Sequence, residues 1–305
     1  MNIQTVLITG FLGAGKTTLL ERILEAYKNE KIGIIVNDFG SVNIDTMLVE
    51  DKAQGVPLVP LSGGSVFCAC IKEDFVKALI SMSREPIGYL FIEATGLADP
   101  GGMPGILESV ASRGGDTLTY RGAVCVTDCT VFAELSDLLP VLKSQVKYSG
   151  AAIINKIDLA GGGDVTKIKE ILSEINPGIT IHITSFCNVD IKEIVNGLQP
   201  GADGVSSNTQ ASRPVTISLS GTKPMEPSGL RGFLDAVEPC AYRIKGFALT
   251  TEGGVKVSLS GNLIEIEPWP DVRDTRLFLV SKTGLGLYSA VSAAADEHCR
   301  GCLSV

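Results

Sequence analysis

Nine residues from Gly10 to Thr18, GFLGAGKTT, set three glycines ahead of a lysine and two hydroxyls. That is chemistry for phosphate. Glycines at this spacing let the backbone N–H groups of Gly13, Ala14 and Gly15 turn inward on phosphate oxygens, and a helix opening behind the loop adds its positive end. Lys16 then spans the β- and γ-oxygens, Thr17 offers its hydroxyl to Mg²⁺, and Thr18 completes the motif. The run follows a β-branched stretch and opens a helical pattern, the setting a phosphate-binding loop requires.

Two stretches farther along decide the nucleotide and its handling. IINKID brings Asn155, Lys156 and Asp158 to the end of an apolar run. A carboxylate at that place takes the two N–H donors of guanine, and adenine lacks them, so the pattern selects GTP over ATP. YLFIEATGLADP delivers Glu93 at the end of a second apolar run, with Thr95 and Gly96 behind it. Glu93 is read as the acid near Mg²⁺, directly or through water, and the Gly96 backbone as a sensor of the γ-phosphate; the other reading of Glu93 is a carboxylate that merely ends a strand. Between the two lies VNDFGSVNID, with Asp38 and Asp45 on a loop. Carboxylates there reach Mg²⁺ or orient the attacking water and relax when the γ-phosphate leaves, which is a switch; a plain acidic surface loop is the alternative. Lys16, Asp38, Asp45 and Glu93 are the catalytic candidates.

Thiols form a third group. LSGGSVFCACIKEDF holds Cys68 and Cys70 one residue apart, and the end of the chain reads HCRGC, with His298, Cys299 and Cys302. Zinc or another thiophilic ion takes three or four protein ligands, so Cys68 and Cys70 supply half a site and need a third donor, such as Asp38 or the tail. Small buried cysteines and an oxidisable terminus are the competing readings. Cys125, Cys129, Cys187 and Cys240 lie in or beside apolar runs and are assigned to packing, as is His182 to the core.

These residues need a scaffold. The first two hundred residues alternate β-branched runs (TVLIT, IGIIV, YLFIE, GAVCVTD, AAIIN, ITIHIT) with helical patterns such as TTLLERILEAY, where Leu19, Leu20, Ile23, Leu24 and Tyr27 fall on one stripe. Strands apolar throughout are buried on both faces, so the expected fold is α/β: a doubly wound, mostly parallel sheet of the P-loop NTPase kind over residues 1–199. QPGADGVSSNTQAS reads as a linker over 200–212, and the closely spaced runs beyond it predict a smaller α+β domain over 213–305.

The chain has 305 residues, 45% of them hydrophobic and 20% charged, with a net charge of −8, enough for two cores and against sequence-independent nucleic-acid binding. The apolar N-terminus has no basic n-region and is broken by glycines and Lys16, so no targeting or membrane segment is expected there. Eight cysteines in so long a chain do not form the disulfide framework of a small secreted domain, which points to the cytoplasm.

Taken in order, TGFLGAGKTTLL, VNDFGSVNID, SGGSVFCACIKEDF, IEATGLADP, VTDCTVF and INKID, then YRIKGFALT and TRLFLVSKTGL, resemble the CobW family of GTPases, relatives of the nickel-enzyme maturation proteins for urease and hydrogenase. The resemblance implies Mg²⁺-dependent GTP hydrolysis to GDP coupled to handling of a metal or a corrinoid cofactor, with a client metalloprotein or corrinoid protein as partner and a homodimer as in some relatives. Three departures stand out. Val66 and Ala69 occupy two positions of the family's Cys-x-Cys-Cys motif, so only Cys68 matches and Cys70 is displaced by one; Ser41 replaces a common glutamate; the His-rich tract of many members is missing. Three functions compete on the sequence: a GTPase that loads metal or assists a corrinoid protein, a GTP-dependent protein-binding switch with structural cysteines, and an ATP-using activator.

Overall fold

The computed structural model describes residues 2–37, 53, 55–61, 71–115, 117–159, 164–201, 215–260, 263–270 and 272–304. It divides into two compact units, Met1–Gln210 and Ala211–Val305. Of the expected linker, residues 202–212 lie outside the described residues, as do Asp38, Asp45, Cys68 and Cys70.

In the first unit the apolar runs become β1 (Ile3–Thr9), β2 (Ile32–Asn37), β3 (Leu58–Leu61), β4 (Tyr89–Glu93), β5 (Leu118–Asp128), β6 (Ala151–Asn155) and β7 (Thr180–Ile183). Among the described residues they form one sheet in the order β3-β2-β4-β1-β5-β6-β7, with every pairing parallel. Helices α1 (Lys16–Ala26), α2 (Lys72–Met82), α3 (Met103–Ala111), α4 (Phe132–Leu138), α5 (Pro140–Lys147) and α6 (Asp164–Ile175) lie in the connections between strands, and α7 (Ile191–Gly197) follows β7.

The two-residue period of the strands sorts the core. Val6, Ile8, Ile34 and Val36 face one way and meet Leu19, Leu20 and Ile23 of α1 and Ile191 and Ile194 of α7. Ile3, Leu7 and Ile35 face the other way and meet Phe75 and Leu79 of α2 and Met103 and Ile106 of α3. Burying each such side chain contributes roughly 1.5–3 kcal/mol, so packing on the sheet outweighs helix propensity in fixing where α1 starts. Central β2 and β6 are buried along their whole length, whereas the edge strands β3 and β7 are not. His182, expected in the core, is therefore only half-buried, because β7 has a neighbour on one side only.

Parallel pairing lines up the strand ends. Glu93 lies beside Ile8, Cys125 beside Thr9 and Asn155 beside Asp128, so the carboxyl ends of β1, β4, β5 and β6 form one row along the sheet. Open sheets of this class bind ligands at that row.

The second unit follows the other rule of sheet burial. β8 (Thr216–Gly221), β9 (Ala241–Thr250), β10 (Gly253–Ser260), β11 (Leu263–Pro268) and β12 (Thr275–Ser281) pair antiparallel in the order β11-β10-β9-β12-β8. α8 (Pro227–Val237) and α9 (Gly286–His298) cover one face, with Phe233, Leu234, Leu287 and Val291 against Ile244, Leu277 and Leu279. Ser304 bridges to Ser220 of β8 through two backbone hydrogen bonds of 2.9 and 2.8 Å. Among the described residues no helix is long and apolar enough to cross a membrane.

Candidate functional site

Residues 10–15 join the end of β1 to α1, and Gly10, Gly13 and Gly15 all take positive φ (133°, 79° and 114°). At Gly15 a side chain would also displace the Asn155 amide, since a Cβ there would lie 2.4 Å from Asn155 Nδ2. No side chain caps α1 and no acidic residue stands in its first turn. By contrast, α7 is capped by Asp190, whose carboxylate accepts from Glu193 N at 2.9 Å. A helix N-terminus with no side-chain cap and no acidic residue of its own in the first turn suits an anion.

Lys16 is buried at the start of α1, and its Nζ donates to Phe11 O at 3.1 Å, so the ammonium lies over the loop. Thr17 Oγ1 donates to Glu93 Oε1 at 3.2 Å. The hydroxyl and the carboxylate expected to hold Mg²⁺ are thus adjacent, although they are 76 positions apart in the chain. Thr9 Oγ1 and Thr95 Oγ1 are buried beside this row with no hydrogen-bond partner among the described residues. Such orphaned hydroxyls are costly unless a ligand or water meets them, so the residues present fit a hydrated cation and a phosphate here. Gly96 follows at once, and a Cβ on it would come within 2.5 Å of Leu12 N. The loop after β4 therefore lies directly on the phosphate loop.

The other end of the row is cross-braced. Asn155 Nδ2 donates to Ala14 O at 2.9 Å, and Asn155 Oδ1 accepts from Cys187 N at 3.0 Å. Cys187 Sγ in turn donates to Gly15 O at 3.4 Å. One buried amide thus ties the phosphate loop, β6 and the loop after β7 together. Asp158 is exposed, and its backbone N–H donates to Ser185 Oγ at 3.1 Å. Phe186 and Cys187 both adopt left-handed backbone (φ 53° and 51°), a conformation that costs roughly 1–2 kcal/mol per non-glycine residue and is held here by those bonds. Lys156 is left-handed too (φ 65°), and its Nζ meets Asp128 Oδ2 at 2.6 Å. Asp128 is 3% exposed and also accepts from Thr130 N and Oγ1. Cys129 Sγ donates to Lys156 O at 2.9 Å.

Lys16, Thr17, Glu93, Gly96, Asn155, Lys156 and Asp158 are accordingly gathered on one edge of one sheet, with Gly13, Ala14, Gly15 and Thr18 in or next to the loop. Asp128, Ser185 and the loop position of Cys187 are not among the residues the sequence singles out. Asp128 was within reach, since it ends an apolar strand as Glu93 does; the others have no local pattern. Three of the four cysteines assigned to packing are buried and Cys240 is half-buried. Burial pushes the Cys125 and Cys187 thiols up to about 12 and Cys299 up to about 11.

The tail residues lie in the second unit. Cys299 is buried with its Sγ against Met225 Sδ (3.9 Å) and Gly229 O (3.6 Å), and Cys302 Sγ faces Pro224 O at 3.7 Å. His298 packs its ring against Gly232. Among the described residues no three of His, Cys, Asp or Glu are grouped so as to hold a metal ion, and His298, Cys299 and Cys302 are not brought together as ligands.

Residues 4–183 match the family described as CobW/HypB/UreG, nucleotide-binding domain. The zinc chaperone YjiA of Escherichia coli is 31% identical over 203 residues, covering 64% of this chain and 61% of that protein. The zinc-regulated GTPase metalloprotein activator 1 of Dictyostelium discoideum is 29% identical over 230 residues, covering 62% of this chain and 47% of that one. The match therefore spans less than two thirds of these curated relatives. Among solved structures, Zn(II)-bound YjiA from E. coli aligns over 98% of this chain and 99% of that one, with 22% identity and a TM-score of 0.46.

Proposed function

The chain belongs to the CobW/HypB/UreG family of nucleotide-binding proteins, and from that premise we propose that it is a Mg²⁺-dependent GTPase whose nucleotide state governs the binding and release of zinc or a related thiophilic ion for a client metalloprotein. The observation that carries the GTPase reading is the brace at Asn155: one side chain bonds the phosphate loop through Ala14 O and the base loop through Cys187 N, making one site of the two motifs.

In this reading the loop N–H groups and Lys16 bind the phosphates, and Asp158 accepts from the guanine base. Thr17 and Glu93 would hold Mg²⁺, which when bound neutralises charge on the β- and γ-oxygens. Lys156, held by Asp128, flanks the base. Asp38 and Asp45 are proposed to orient water or reach the cation when GTP is bound. Positioning and charge stabilisation supply most of the catalysis in this class, so turnover without a partner is expected to be slow.

The metal part rests on the names of the relatives and on Cys68 and Cys70, with Asp38 as third ligand. The buried, protonated thiol of Cys299 and the scattered tail donors support a packing role for HCRGC instead. A cytoplasmic location and a client metalloprotein belong to the same proposal; a corrinoid client has no separate support here.

The test has two arms. Steady-state phosphate release compares GTP with ATP, and equal use of both sinks the guanine reading. Zn²⁺ affinity is measured by chelator competition with GDP and with a non-hydrolysable GTP analogue, for the unmodified chain and for Cys68→Ser. Linkage requires nucleotide and metal to alter each other's affinity by the same factor, roughly 5- to 150-fold for ordinary coupling. Equal Zn²⁺ affinity in both nucleotide states removes the chaperone step even if metal binds.

A further inference from the structure

The loop that leaves β4 toward α3, residues 94–99, has to hold its shape without being part of a strand or helix. Backbone carbonyls buried in such a loop need donors. Ala98 N donates to Thr95 O at 2.9 Å, which closes a turn within the loop. The carbonyls of Gly96 and Ala98 are met from outside: Gln145 Nε2 donates to both, at 3.1 and 3.0 Å. Gln145 lies on α5 and is 1% exposed. It is a buried primary amide, and its two N–H groups are spent on this one loop.

Helix α5 is itself pinned. Ser149 Oγ donates to Gln145 O at 2.6 Å, and Asn176 Nδ2, beyond the end of α6, donates to Val146 O and Ser149 O at 3.2 and 2.9 Å. The Tyr148 ring packs on Gly101, where a Cβ would come within 2.7 Å of it. Gln145 is thus a fixed donor pair on a braced support, aimed at a loop whose Gly96 already touches Leu12 of the phosphate loop.

We propose that Gln145 is a positioning residue for γ-phosphate recognition: by holding the carbonyls of Gly96 and Ala98 it keeps the loop after β4 against the phosphate loop, and so sets the preference for GTP over GDP. The inference rests on the nucleotide assignment above and deepens it. Gln145 has no contact with nucleotide; it acts through the loop. GDP has no γ-phosphate for that loop to meet, so GDP affinity depends little on the clamp. The affinity for a GTP analogue depends on it directly, because a loose loop must be ordered when the analogue binds.

The experiment measures the dissociation constants of GDP and of a non-hydrolysable GTP analogue with Mg²⁺, by competition with a fluorescent guanine nucleotide, on the full chain. Gln145→Met keeps the length and removes both donors; Gln145→Glu keeps the shape and puts acceptors against the two carbonyls. Val146→Ala, on the same helix and fully buried, is the control for a loss of stability alone. Both Gln145 variants are expected to weaken the analogue relative to GDP by about tenfold, near 1.4 kcal/mol. Gln145→Glu is expected to shift the ratio at least as far as Gln145→Met, and Val146→Ala is expected to lower the melting temperature with the ratio unchanged. An unchanged or increased preference for the analogue in Gln145→Met, with GDP still bound, overturns the inference and leaves the GTPase reading standing. The same ratio shift in Val146→Ala also overturns it, since the effect would then follow stability. No guanine-nucleotide binding by the unmodified chain overturns both.

Discussion

The two ends of the nucleotide row are built differently. At the base end, side chains bond loop to loop: Asn155 to Ala14 and Cys187, Asp128 to Lys156, Ser185 to Asp158. At the phosphate end, Thr17 meets Glu93 at 3.2 Å, the Thr9 and Thr95 hydroxyls are buried without a hydrogen-bond partner among the described residues, and the loop after β4 is held from α5 by Gln145. On the proposed reading, the cross-braced end meets the base and the end held by Gln145 meets the γ-phosphate.

Lys16→Ala tests the phosphate end most strongly. GTP turnover, followed by phosphate release, is expected to fall by roughly 10²–10³, the scale for losing a preorganised charge at the reacting group. Circular dichroism serves as the control for folding, and is expected to be unchanged. Retained turnover would break the assignment.

Asn155→Ala tests the base end next. It removes the bonds to Ala14 O and Cys187 N together and leaves both partners buried, and about 10²-fold weaker guanine-nucleotide binding is expected. Titration calorimetry should show GDP and GTP analogue losing the same factor. An unequal loss means that the two ends are not separable in the way described.

Asp158→Asn sharpens base identity alone. GTP affinity is expected to drop roughly 10- to 100-fold, with xanthine nucleotide gaining, since its altered edge presents an acceptor where guanine has an amine. Competition binding with both nucleotides decides it.

The smallest expected effect concerns the buried thiols. Cys125 and Cys187 are pushed up to about 12 from an ordinary value near 9, mainly by burial. At pH 8 neither should react with iodoacetamide in the folded chain, as read by mass spectrometry. A raised folded-state pKa means that the folded form holds its proton where the unfolded form has lost it. The stability from this source is complete below about pH 9 and declines as pH climbs from there toward 12. Rapid alkylation of Cys187 at pH 8 contradicts the closed base end.

Much of this was legible beforehand, for reasons that differ by residue. The phosphate loop and NKID are local: their chemistry depends on neighbours within nine residues, and spacing alone exposes it. The apolar strands were legible because a sheet covered on both faces demands unbroken β-branched runs. Gln145 was not, since its partners at Gly96 and Ala98 are 49 and 47 positions away and one glutamine in a helix carries no pattern. Cys187 looked like packing and is buried, yet its thiol and N–H meet Gly15 and Asn155, 172 and 32 positions away. Only topology brings such pairs together. His182 was misplaced for a related reason: an apolar run does not reveal that its strand stands at the margin of the sheet.

The antiparallel sheet of the second unit has margins too, and they carry a consequence for solubility. An unpaired strand offers a row of N–H and C=O groups on which another chain can template. β11 is one such margin, with Leu263 exposed, but Glu265 and Glu267 point outward beside it and Pro268 lacks an N–H altogether. At the opposite margin, Ser304 occupies the backbone groups of Ser220. One margin is thus guarded by charge, and the other is occupied at Ser220. Replacing Glu265 and Glu267 with valine should raise light scattering on mild heating; no rise would mean that β11 is protected by something other than its charges.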